Sequence, residues 1–222
     1  MPAPLSVIIP TLNAGQSLSA CLGALMEGLD AGLVAELIVS DGGSGDDTLA
    51  QADAWGAHIL SGPASRGGQL RRGCAGARAQ WFLVLHADTV LRPGWTAAVS
   101  AHLNTEKAGY FQLRFDRGGR VVAAWANLRA RLFGLPYGDQ GLLVPRALYA
   151  QVGGYRDMAL MEDVAMARAL KGQLVALDAV AVTSAAKYRR QGWMQRGARN
   201  LWTLARYFAG TDISKLAHQY RR

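Results

Sequence analysis

The strongest constraint on this chain is a repeated pairing of a short apolar run with a stretch of helical spacing. Leu5-Ser-Val-Ile-Ile9, Glu36-Leu-Ile-Val-Ser40, Ala57-His-Ile-Leu60 and Trp81-Phe-Leu-Val-Leu85 read as strands. Between the first two, Leu18, Cys21, Leu22 and Leu25 recur at helical spacing over residues 16–28, with Gly28 as the expected stop. A second helix is expected over residues 68–79, and Pro93 suits the start of a third. Strands that are apolar throughout, instead of at alternate positions, are covered on both faces. Strand–helix alternation of this kind predicts an α/β chain with a mostly parallel sheet flanked by helices.

The second half is less regular. Strands are expected at Tyr110–Phe115, Gly141–Val144 and Leu174–Val182, and helices at Arg120–Phe133, after Pro145, at Met161–Leu170 and at Met194–Ala209. The last sets Leu201, Leu204, Ala205 and Phe208 against Arg196, Arg199 and Arg206. No linker-like boundary interrupts the 222 residues, a length that fits one domain.

Partners are constrained by charge. The net charge is +8, and from Thr183 onward there are nine Lys/Arg against one acid, Asp212, while the rest of the chain is balanced. A basic end points to an anionic partner, such as a diphosphate or an anionic membrane, or else is a solvated face. No nucleic-acid recognition motif accompanies it, so no nucleic-acid partner is expected. Cys21 and Cys74 fit no metal or redox spacing and read as buried thiols. The N-terminus lacks a basic segment and no run approaches the roughly 20 apolar residues of a span. A cytoplasmic location is expected.

The first strand leads into Pro10-Thr-Leu-Asn13, not a Gly-x-Gly-x-x-Gly turn, and no Gly-x-x-x-x-Gly-Lys-Ser/Thr loop occurs. A phosphate-bearing ligand therefore needs a cation to meet its charge. Acids stand at two strand ends, where ligands bind in such sheets. Asp41 opens Asp41-Gly-Gly-Ser-Gly-Asp-Asp-Thr48 and is either a turn residue or an acceptor for a base N–H or ribose hydroxyls. Asp88 closes His86-Ala-Asp88 and is either structural or a ligand for Mg²⁺ or Mn²⁺ beside a diphosphate. Glu162-Asp163 is either favourable acid at a helix start or the source of a general base. Arg66, Arg71 and Arg72 surround a Gly-Gly loop, either to meet a diphosphate or as solvated cations.

In this order, Ser6-Val-Ile-Ile-Pro-Thr-Leu-Asn13, Asp41-Gly-Gly-Ser-Gly-Asp-Asp-Thr48, His86-Ala-Asp88 and Glu162-Asp163 resemble the family-2 glycosyltransferases, and most of all a small soluble branch with a His-Ala-Asp metal motif. The resemblance spans about residues 5–195. It implies the nucleotide-diphospho-sugar transferase fold called GT-A. It implies a donor-binding half over about 1–105, an acceptor and catalytic half over about 106–193, and a basic amphipathic end over 194–222. It implies that Pro10, Thr11, Asn13 and Asp41 line the nucleotide pocket; Arg66 and Arg71, of the basic cluster, are the candidates to meet the diphosphate. Asp88, with His86, would hold Mn²⁺ or Mg²⁺, Asp163 would be the general base with Glu162 in support, and transfer would invert by direct displacement. The implied donor is a nucleotide-diphospho-sugar, a UDP-sugar by family frequency. Gly138-Asp-Gln-Gly141 would lie near the acceptor.

Two departures stand out. His86 occupies the place of the first Asp of the Asp-x-Asp pattern. The Gln-x-x-Arg-Trp motif of polymerising relatives is replaced by Lys187-Tyr-Arg-Arg-Gln-Gly-Trp193. A single addition is expected, to an unidentified acceptor that is lipid-linked if the basic end meets the inner face of a membrane. The competing expectation is a nucleotide-binding or regulatory module without turnover.

Overall fold

A computed structural model describes residues 2–221. The strands are β1 (Leu5–Thr11), β2 (Val34–Asp41), β3 (His58–Ser61), β4 (Trp81–Val84), β5 (Thr89–Leu91), β6 (Ala108–Phe115), β7 (Leu142–Pro145) and β8 (Leu174–Thr183). The helices are α1 (Gly15–Asp30), α2 (Thr48–Ala54), α3 (Arg66–Gly76), α4 (Trp95–His102), α5 (Arg120–Phe133), α6 (Arg146–Gln151), α7 (Glu162–Ala169), α8 (Ala186–Gln191), α9 (Trp193–Phe208) and α10 (Ile213–Arg221), with a 3₁₀ turn at Gly138–Gln140.

The eight strands form one sheet in the order β3-β2-β1-β4-β7-β6-β8-β5. β1 pairs parallel with β2 and β4, β2 with β3, and β6 with β8. β7 runs antiparallel between β4 and β6, and β5 antiparallel to β8. This is the mostly parallel, helix-flanked α/β sheet that the apolar runs predict. The β5 strand, three residues long, and helices α8 and α10 were not apparent from periodicity.

Core packing explains the runs. On one face Val7, Ile9, Val39 and Leu83 pack with Leu18, Leu22, Trp95 and Val99 of α1 and α4. On the other, Ile8, Ile38, Phe82 and Val84 pack with Leu70 and Cys74 of α3 and Met166 of α7. Successive strand residues point to opposite faces, so both faces being covered requires every position to be apolar. Cys21 and Cys74 are buried free thiols. Gly28 does not stop α1, which runs to Asp30. A Cβ there would lie 2.5 Å from the Trp95 ring, so Gly28 makes room for that indole. Among the described residues no helix is long and apolar enough to cross a membrane.

Candidate active site

The parallel strands β1 and β2 place Thr11 directly opposite Asp41. Thr11 Oγ1 donates to Asp41 Oδ1 at 2.8 Å, and Ser44 Oγ donates to the same oxygen at 2.6 Å. The backbone N–H groups of Gly43 and Ser44 donate to Oδ2 at 2.7 and 2.8 Å. Burial by itself would raise the Asp41 pKa, but these bonds from Ser44, Thr11 and Gly43 outweigh it and hold the carboxyl below its ordinary value. Asp41 is thus the anchor of the loop that follows it. Asn13, at φ +50°, ties the neighbouring loop to it by accepting from Gly45 N at 2.9 Å, while its own N–H donates to Ser44 Oγ. Pro10, half-buried, lies beside Ser40.

Helix α3 links this loop pair to a second cluster. Gln69 is buried and its Nε2 donates to Thr11 O at 2.7 Å and Ser40 O at 3.0 Å, joining the ends of β1 and β2. Arg66, three residues earlier and on the same side of the helix, bonds Glu162 Oε1 through Nε at 2.8 Å. Its Nη2 lies 2.7 Å from His86 Nδ1. Arg72 donates to Asp41 O at 2.8 Å. Arg71 instead lines a cleft of about 250 Å³ with Ser65 and Asp157.

Glu162 and Asp163 open α7 after Met161, a non-glycine residue at φ +66°. Backbone strain of this sort concentrates where a side chain must be aimed. Asp163 Oδ2 accepts from Gly138 N at 2.9 Å, and Oδ1 from Val164 N at 2.7 Å. Gly138 in turn leaves no room for a side chain, since a Cβ would stand 2.1 Å from His86 Nε2. Four segments from distant parts of the chain therefore meet here: the start of α3, the end of β4 with His86 and Asp88, the 3₁₀ turn, and the start of α7.

The cluster is acidic and partly buried. Burial and the neighbouring Asp163 push Glu162 up to about 7, against the pull of Arg66. Asp139 is pushed up to about 6 by burial, with Arg129 opposing and the charges of Asp163 and Asp88 reinforcing the rise. Burial would lower the Arg66 pKa, but the charges of Glu162, Asp163, Asp88 and Asp139 raise it. Among the described residues, Asp139 Oδ1 is buried without a hydrogen-bond partner. Such an oxygen is costly unless a cation or donor reaches it.

The donor set fits a hard divalent cation, which takes oxygen ligands. Asp88 is half-buried and shares the field of Arg66 with Asp139. Among the described residues no three His, Cys, Asp or Glu side chains close around one point, so oxygens from a ligand would have to complete the shell. His86 faces Arg66 and Gly138 in this arrangement. Gln69 and Asp139 are not individual site candidates in the sequence, whereas Arg72, one of the three cations around the Gly-Gly loop, is turned to the Asp41 backbone. The signal for Gln69 was its place one turn after Arg66; for Asp139 it was the Gly138–Gly141 motif itself.

Among solved structures, glucosyl-3-phosphoglycerate synthase from Mycobacterium tuberculosis in complex with Mn²⁺, UDP and glucosyl-3-phosphoglycerate is 23% identical, with TM-score 0.58 over 82% of this chain and 70% of that one. S. aureus TarS 1–349 in complex with UDP-GlcNAc is 14% identical, with TM-score 0.67 over 82% of this chain and 58% of that one. At these identities the likeness is one of fold, the GT-A fold. No curated protein sequence matches the chain. The profile described as "Glycosyl transferase family 2" matches residues 6–161, covering β1, the Asp41 loop, the Arg66 helix, the His86-Ala-Asp88 strand end and the turn at Asp139. The chain belongs to glycosyl transferase family 2.

Proposed function

We propose that this glycosyltransferase moves a sugar from a UDP-sugar to an acceptor hydroxyl by direct displacement, with inversion, assisted by Mn²⁺ or Mg²⁺. The observation that carries the reading is the meeting of Arg66, Asp88, Asp139, Glu162 and Asp163 at the carboxyl edge of β1, β2 and β4, beside the Thr11–Asp41 loop pair. The structures of similar fold that hold UDP or UDP-GlcNAc support the donor class, and the Mn²⁺ in one of them supports the metal.

In this reading, residues to about 105 bind the donor and those from about 106 to 193 the acceptor. Pro10, Thr11 and Asn13 line the nucleotide pocket, and Asp41 orders the loop near the base. Arg66 faces the diphosphate, with Arg71 in the adjoining cleft. Asp88, with the unpartnered Asp139 oxygen in the same field and His86 beside it, would hold the ion, whose bound charge stabilises the departing diphosphate. Asp163 takes the proton from the acceptor hydroxyl as its oxygen bonds to the anomeric carbon. The bond from that carbon to the diphosphate breaks, and the electron pair leaves with UDP. Glu162 supports this by fixing Arg66. The acceptor is an unidentified hydroxyl compound.

The test is a thermal-shift panel of UDP, GDP, dTDP and CDP, each with and without Mn²⁺, on wild type and Asp88→Ala. A ligand that binds only the folded state raises Tm by mass action, about 3 kcal/mol at a hundred times Kd. UDP stabilisation that needs Mn²⁺ and disappears in Asp88→Ala is the expected result. No shift with any nucleotide would overturn the donor assignment. Metal-dependent UDP binding in a protein that neither hydrolyses nor transfers any UDP-sugar would favour the binding-module reading.

A further inference from the structure

Helix α9 is amphipathic, but it is turned outward. Met194, Ala198, Leu201, Trp202, Ala205 and Phe208 recur at helical spacing along one face, and all are exposed, Met194 at 89% and Trp202 at 66%. Its inward side carries the buried Thr203, and Leu204 and Tyr207 pack on Met158, Met161 and Val164 around the start of α7. An apolar stripe of this width normally faces a core. Helix α5 repeats the arrangement. Ala123, Ala126 and Ala130 are buried, while Val121, Trp125, Leu128, Leu132 and Phe133 are exposed.

The two helices begin at one junction. Gly118 and Gly119, just before α5, lie against the ring of Trp193, the first residue of α9; a Cβ on Gly119 would stand 2.1 Å from it. Trp193 stacks on Tyr188 at 4.9 Å and meets the edge of Phe115 at 5.1 Å. Exposed arginines cluster in sequence around this junction, Arg114, Arg117 and Arg120 on one side, Arg189 and Arg190 on the other. The only acid between Arg114 and Phe133 is Asp116, and the only one after Thr183 is Asp212.

We propose that the exposed faces of α5 and α9 are a docking surface for an anionic lipid bilayer. Apolar helix faces that begin beside a cluster of exposed arginines match the acyl boundary and the headgroup charge of such a membrane. A second copy of the chain matches the apolar part only. A two-fold contact brings the same patch against itself, so arginine would face arginine with almost no acid on either segment to meet it. The inner side of α9 packs on Met158, Met161 and Val164, which puts the surface one helix away from the start of α7 and so gives a ground for a membrane-presented acceptor. The surface itself does not depend on the donor assignment, and its test reads binding, not transfer.

The test is co-sedimentation of the full chain with vesicles of phosphatidylcholine alone or mixed with phosphatidylglycerol. The variants are Leu201→Ser with Trp202→Ser on α9, and Leu128→Ser with Leu132→Ser on α5. All four positions are exposed, so Tm stays close to wild type. Wild type is expected to pellet with the anionic vesicles, less as salt rises, and each pair to lower the partition at least about tenfold. Arg189→Gln with Arg190→Gln should lower it too, without touching the apolar face, and keeps the question decidable should a serine pair fail to fold. Equal pelleting of wild type and variants would overturn the proposal. So would light scattering that shows a dimer dissolved by the serine pairs in a chain that ignores both vesicles.

Discussion

Removing Arg66 tests the electrostatics of the site directly. In the native protein Glu162 is 3% exposed and its pKa rises from 4.5 to about 7, so the folded state holds a proton that the unfolded chain gives up. A carboxyl of this kind contributes most stability below 4.5. That contribution is lost as pH rises towards 7, and the loss stops once Glu162 ionises in the folded state. Arg66 is what lets it ionise there. In Arg66→Ala the folded pKa moves higher still, so the decline continues past 7 where wild type has levelled off. Each pH unit of continued decline costs about 1 kcal/mol, trimmed because the Arg66 side chain is 43% exposed and partly screened. Between about pH 6 and 8.5 the gap between the proteins should widen by about 1–2 kcal/mol. For a chain of this length that is about 3–6 °C in Tm. Thermal melts of both proteins across this range give the answer. A gap that stays constant with pH would refute the reasoning, because the pair would then contribute only packing.

Two further outcomes follow from the same site. In Gly67→Ala, the new Cβ would stand 2.1 Å from Arg156 O and 2.7 Å from Met158 N, backbone atoms of the segment leading to α7. The Gly67 N–H also donates to Met158 O at 2.9 Å. Neither side can give cheaply, so overpacking of about 1–3 kcal/mol should lower Tm by about 3–9 °C; an unchanged Tm would show that this crossing is loose. Asp139→Asn should raise the ligand-free Tm at neutral pH. The Asp139 pKa is raised from 3.8 to about 6, so its charge costs stability as pH climbs through that window and the deficit persists above it. About 1–2 kcal/mol should be recovered, while Mn²⁺-dependent stabilisation by UDP weakens. A ligand-free Tm that falls instead would mean the Asp139 carboxylate has a stabilising partner.

The donor-side fold was legible because its signals are local. Strands β1 and β4 and the second half of β2 are covered on both faces, so the runs are apolar without alternation, and helix periodicity marked α1 and α3 between them. The loops at Asp41 and His86 were legible as acids at strand ends. How those loops close was not. Asp41 has its oxygens filled by Thr11, Gly43 and Ser44, a geometry set by strand register. The Arg66–Glu162 pair joins residues 96 apart, and Gln69 crosses to Thr11 and Ser40, two chain segments away. Spacing along the sequence carries no information about such contacts.

Helix α9 shows the sharper limit. Its pattern of Leu201, Ala205 and Phe208 against Arg196, Arg199 and Arg206 establishes a helix with an apolar side and a basic side. Periodicity fixes that division but not its orientation, because the same stripe serves a core or a bilayer. Orientation is decided by what remains to be covered. By the end of β8 both faces of the sheet already carry helices, and α9 meets the rest of the protein through Trp193 at its start and through Leu204, Tyr207 and the buried Thr203 along its inner side. The apolar stripe is left outside because the core is already closed. A side chain such as Trp202, exposed to two thirds of its surface, is stable there alone, but a whole face of them is an unmet demand for burial. The exposed arginines at the junction with α5, Arg189 and Arg190 among them, narrow what can meet that demand to something apolar beneath a negative surface.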